Sequence, residues 1–150
     1  DKYYALVVGS NVLGGGPHSK LFVNVREKES LCYYIFSSIE KYKSIMFISS
    51  GIETKDYDKA VELIKKQVES VKAGDISDEE LENSKLALVN SMKSITDNIG
   101  GMSDFAFSQS MAKTNSEVQD IISSIEKVTK KDIVEAIKNI ELDTVYFLRN

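Results

Sequence analysis

The chain is poor in the residues that most often announce chemistry: one cysteine, one histidine, one proline and no tryptophan in 150 residues. A lone cysteine cannot close an intrachain disulfide. Cys32, set between Leu31 and Tyr33, reads as a small buried hydrophobe, which suits a reducing cytosol and a cytoplasmic location. A lone histidine cannot provide the several ligands a zinc ion draws from a protein. No acidic residue stands close to His18 before Glu27, so it reads as a solvated loop histidine, and no metal ligand and no catalytic residue is assigned in this chain. Cationic excess is missing too: 19 Lys and Arg against 23 Asp and Glu give a net charge of -4. Neutralising phosphates needs a clustered surplus of Lys and Arg, which excludes nucleic acid as the expected partner. No apolar run approaches a membrane span and no charged-then-apolar leader opens the chain, so no membrane association is expected. Repeats and low-complexity tracts are absent.

What is present is an ordinary globular mixture, 42% hydrophobic and 28% charged, of a length that folds as one domain, here 1–150. The stretch Leu13–Tyr34, LGGGPHSKLFVNVREKESLCYY, organises it. Gly14, Gly15 and Gly16 suggest a turn that takes positive φ and passes close to its neighbours, and Pro17 fixes one φ ahead of a helix. That helix runs from about Ser19 to Glu29. Leu21, Phe22 and Val25 share its apolar face, which leaves Lys20, Asn24, Glu27 and Lys28 toward water. A strand follows, LCYYIFSSIE, apolar on both alternating faces as in a strand covered on both sides. SIMFISSGIE reads as its antiparallel partner across a turn at 40–43.

Downstream the period turns helical. Ala60, Val61, Ile64, Val68 and Val71 form one stripe, closed by Gly74. Ser77 with Glu80 makes a capping box for a helix carrying Leu81, Leu88, Met92 and Ile95. Gly100 and Gly101 interrupt or restart that run, and residues 102–111 read as a separate helix with Phe105 and Ala106 on one face. Ser116 with Gln119 suggests a box ahead of Val118, Ile121, Ile122 and Ile125. Thr129 with Asp132 opens the last helix, whose buried face is Ile133, Val134 and Ile137. TVYFL, residues 144–148, then reads as a short strand adding to the hairpin. By pattern alone residues 2–13 fit helix or strand. The class is α+β: helices packed on an antiparallel sheet, with three strands visible.

Gly14, Gly15, Ser19, Lys20, Leu21, Phe22, Arg26, Glu27, Lys28, Leu31 and Tyr33 agree in order and spacing with a family signature, GG-x-x-x-S-K/R-LF-x-x-x-REK-x-x-L-x-Y. The chain thereby resembles the non-catalytic, C-terminal domain of the pitrilysin, insulinase and mitochondrial-processing-peptidase family. It is most similar to bacterial zinc-dependent-peptidase-like proteins, some of which lack the catalytic residues. Ser30 departs from the pattern, since the family more often has glycine there. The resemblance implies a mitochondrial-processing-peptidase-like metallohydrolase domain, a helix over residues 2–13, and a chain truncated at its N-terminal strand. It also implies that zinc belongs to a catalytic domain or partner subunit of the same family, in a dimeric arrangement.

Arg26 and Tyr33 are the candidate substrate-binding residues. A guanidinium near the end of a short helix and a phenol at the start of the next strand are both donors suited to a peptide carbonyl or an oxyanion. On the residues alone, Arg26 reads as a surface cation paired with Glu27 or Glu29, and Tyr33 as one more sheet aromatic. The resemblance implies that the pair reaches into a peptide chamber and holds substrate beside a zinc ion owned by another domain. The alternative is an inactive structural module that only supports a partner. A nucleotide site at GGGPHSK is a weaker reading, because Ser19 stands where a phosphate loop needs glycine before lysine.

Overall fold

The computed structural model describes residues 2–149. Six α-helices are described: α1 Lys2–Gly14, α2 Tyr57–Lys72, α3 Asp78–Thr96, α4 Ile99–Ala112, α5 Val118–Glu126 and α6 Lys130–Ile137. Two strands, β1 Cys32–Glu40 and β2 Ile45–Ile52, pair antiparallel, with Glu40 opposite Ile45 and Ile35 opposite Ser50. The family resemblance expected the helix at residues 2–13, and a helix is what forms. Among the described residues no helix is long and apolar enough to cross a membrane.

Helix α1 is the spine of the core. Val8 and Val12 have no accessible surface, Leu13 has 1%, and the helix packs against β1, α3 and α6. Two glycines set how close its neighbours come. A Cβ on Gly9 would stand 2.4 Å from Ile137 Cδ1, and one on Gly14 would stand 2.5 Å from the backbone N of Ser37. The contact at Gly14 is fastened by Ser37 Oγ, which donates to Ser10 O at 2.6 Å.

The turn after α1 departs from its sequence reading. None of Gly14, Gly15 and Gly16 has positive φ; the one glycine that does is Gly74, at +81°, beyond the end of α2. Close approach, not left-handed geometry, is what Gly14 supplies. The next helix is wider than an α-helix: Phe22–Glu27 is π-helical, with Lys28 N–H reaching back five residues to Val23 O at 3.1 Å.

Three further expectations are corrected. The sheet is covered on one face only: Ile35 and Ser37 are buried, while Tyr34, Phe36 and Phe47 remain 50%, 41% and 43% exposed. The cap of α5 is Glu117 with Asp120, one residue later than Ser116 with Gln119, so that Val118 becomes the first helical residue. Residues 144–148 form no strand, and the described sheet has two strands rather than three. The boxes of Ser77 with Glu80 and of Thr129 with Asp132 form as the spacing dictates.

Candidate functional site

Arg26 lies in the last turn of the π-helical segment and is exposed, its guanidinium carbon 4.7 Å from the centroid of the Phe22 ring. That cation–π contact restricts the side chain without neutralising it. Among the described residues Arg26 forms no ion pair with Glu27 or Glu29, the partners that the residues alone suggested. Glu29 holds Lys59 at 2.5 Å, and the lysine's hydrogen bond and charge keep the carboxyl below its usual range. The backbone then reverses at Ser30, whose φ of 53° is left-handed and whose N–H bonds Arg26 O at 3.0 Å. Glycine enters that region without the steric cost that a Cβ brings, so Ser30 carries a strain that a glycine there would not. Leu31 N–H bonds Val25 O at 3.3 Å and ties the strand's start to the helix.

Tyr33 owes its position to a β-bulge. Cys32 stands opposite Ile52 and Tyr34 opposite Gly51, leaving Tyr33 as an unpaired extra residue. Strict alternation from the buried Ile35 would send residue 33 into the core. The extra residue breaks that phase, and Tyr33 emerges 75% exposed beside Tyr34. Bulges re-aim side chains in this way. The neighbouring Tyr34 ring covers Gly51, where a Cβ would lie 2.5 Å from the ring. Lys55, just beyond β2 at the same open end of the hairpin as Tyr33, has its pKa raised, first by its hydrogen bond to Glu53 and least by Tyr33. Arg26 and Tyr33 are thus both exposed to solvent.

A second cluster was not read from the sequence. Lys20, expected toward water, is 6% exposed and pairs with Glu80 at 3.0 Å and Asp75 at 3.8 Å. Asn24, also expected outward, is half-buried and donates to the amide oxygen of Gln67 at 2.8 Å. His18 is not simply solvated. Its Nε2 lies 3.1 Å from Asn11 Oδ1 and 3.2 Å from Ser84 Oγ, joining the turn to α1 and α3. Burial lowers the His18 pKa, with the Glu80 charge opposing the shift. These groups line an open cleft of about 640 Å³. The one local signal was the capping box, which announces Glu80 but says nothing of what its second oxygen meets.

Among the described residues no three of His, Cys, Asp and Glu gather where a metal ion could be held. Cys32 is half-buried and packs against the core.

The sequence profile described as "Peptidase M16 inactive domain" matches residues 1–88. A probable inactive metalloprotease of Bacillus subtilis, YmfF, is 42% identical over 147 residues, which are 98% of this chain and 34% of that protein. An uncharacterized zinc protease of the same bacterium, YmxG, is 34% identical over 87 residues, 57% of this chain and 21% of its own length. A conserved protein of Enterococcus faecalis superposes with a TM-score of 0.84 at 36% identity, covering 92% of this chain and 33% of that one. A peptidase M16 inactive domain from Pseudomonas fluorescens gives 0.78 at 21% identity over 91% of this chain and 34% of its own, a likeness of fold. The chain therefore spans about a third of the length of YmfF and of both these structures.

Proposed function

Since the chain belongs to the peptidase M16 inactive-domain family, we propose that it is the substrate-facing wall of a peptide chamber whose zinc is held by a catalytic domain in the same protein or complex. Arg26 and Tyr33 take the peptide backbone, the guanidinium and phenol each donating to a carbonyl oxygen and strengthening as that oxygen gains charge. Water activation belongs to the partner. The observation that supports this reading is the bulge at Tyr33, which costs the hairpin a ladder position and leaves a phenol 75% exposed beside the turn that carries Arg26.

The description of YmfF as a probable inactive metalloprotease favours a second reading, in which the domain associates with a partner and supports it without contributing to turnover. Complementation separates the two. The full-length protein is assayed on quenched fluorescent peptides, alone and mixed with a family member that carries an intact H-x-x-E-H motif. A gain in turnover on mixing supports the chamber wall. Tight association with no gain supports the structural role, and zinc-dependent turnover by residues 1–150 alone overturns both.

A further inference from the structure

The cations of the signature segment are held in different ways. Lys20 is paired with Glu80 and Asp75, and Lys28 donates to Asn24 Oδ1 at 2.9 Å. Among the described residues neither an ion pair nor a side-chain hydrogen bond holds Arg26; what its guanidinium meets is the ring of Phe22. That ring stands on firm ground. Phe22 is half-buried, while Leu21 before it and Val25 one turn on have no accessible surface. The Phe22 N–H reaches Ser19 Oγ at 3.4 Å, and Ser19 is itself fully buried, its hydroxyl donating to Gly16 O at 2.6 Å. Phe22 also opens the π-helical run that carries Arg26, a winding common at functional sites.

Taking Arg26 as a substrate contact, we infer that Phe22 is its positioning residue, the ring face holding the guanidinium where an incoming peptide carbonyl meets it. A carboxylate would take up the N–H donors of the guanidinium. A ring face attracts the charge through its quadrupole and has no lone pair to offer, so the donors stay available to a carbonyl oxygen. Holding a long side chain in advance also removes rotamer freedom that the peptide would otherwise have to freeze on binding. Phe22 therefore acts through Arg26 and does not itself touch the peptide.

Anisotropy of a fluorescein-labelled casein peptide, titrated with the full-length protein in its zinc-bearing assembly, tests this without requiring turnover. Phe22→Leu should weaken binding by about 3- to 10-fold. Mono-, di- and trifluorophenylalanine at position 22 keep the shape of the ring and drain its face of electron density, so affinity should fall stepwise with each fluorine. In an Arg26→Ala background all these variants should bind alike. A flat fluorine series beside an impaired Arg26→Ala would overturn the positioning role and leave Arg26 as a contact. A stepwise loss that persists without Arg26 would overturn it in favour of the ring touching the peptide directly. Wild-type affinity in Arg26→Ala, or no binding by the wild type, would remove the substrate contact itself and the positioning role with it.

Discussion

Glu80 holds Lys20 with one carboxylate oxygen, Oε1 at 3.0 Å, while its other oxygen accepts the N–H of Ser77 at 2.8 Å and closes the capping box of α3. One side chain thus ties a buried cation of the signature segment to the start of a helix about sixty positions away. Removing the ammonium by Lys20→Met leaves a partly buried carboxylate without its cation, at a cost of roughly 2–4 kcal/mol. Glutamine still serves at the N3 position of a capping box, so adding Glu80→Gln should recover part of that loss. Urea denaturation of the two singles and the double reads the coupling. A Lys20→Met protein within experimental error of wild type would show the pair to be ornamental.

The neighbouring histidine makes stability depend on pH. His18 has its pKa lowered in the folded protein by burial, so between that depressed value and about 6.5 the unfolded chain binds more protons than the folded one. Stability therefore rises with pH across this window; acidification below about 6.5 removes it until the folded-state pKa is passed. His18 is the sole histidine. His18→Gln should flatten the melting temperature between about pH 7 and pH 5. An unchanged slope would assign the effect to carboxylates.

Glycine requirements differ along the turn, and alanine substitution ranks them. Gly14→Ala drives a Cβ to 2.5 Å from the Ser37 backbone and should cost about 2–3 kcal/mol. Gly16→Ala meets nothing nearer than 3.5 Å and should stay within about 0.5 kcal/mol. Equal effects in thermal denaturation would mean the α1 to β1 contact yields more easily than its geometry implies.

Ser30→Gly should stabilise the fold by about 0.5–1 kcal/mol, because it relieves a side chain at φ 53° by more than the unfolded chain gains in freedom. The same change should leave peptide turnover in the full-length assembly untouched. Chemical denaturation showing a loss instead would mean that the serine side chain compensates for its backbone.

For the proposed substrate contacts, Arg26→Ala and Tyr33→Phe are each expected to lower peptide turnover in an assembly with an intact zinc site by roughly 10- to 100-fold. Both side chains are exposed, so the melting temperature should hardly move. Normal turnover in either variant would remove that residue from the substrate-binding role.

Local rules were legible where local energetics decide. Two capping boxes, the α2 and α6 stripes and the hairpin formed where their patterns stand, whereas the break between α3 and α4 falls at residues 97–98, capped by Asn98, and places Gly100 and Gly101 inside the first turn of α4. The α5 cap slipped by one residue because Glu117 and Asp120 can make the same reciprocal bonds as a serine box. The strand at 144–148 was composition without a partner, and a strand needs one within hydrogen-bonding reach.

By itself, then, the sequence determined the family, the helices and the pairing of β1 with β2, since periodicity and spacing are properties of neighbours along the chain. Tertiary structure alone decided the rest. Lys20 went inward because Glu80 waits there on α3, and Tyr33 went outward because β2 offers one residue fewer than β1 across the bulge. Burial of a charge and the phase of a pleat are set by what stands opposite in space, and no run of consecutive residues encodes that.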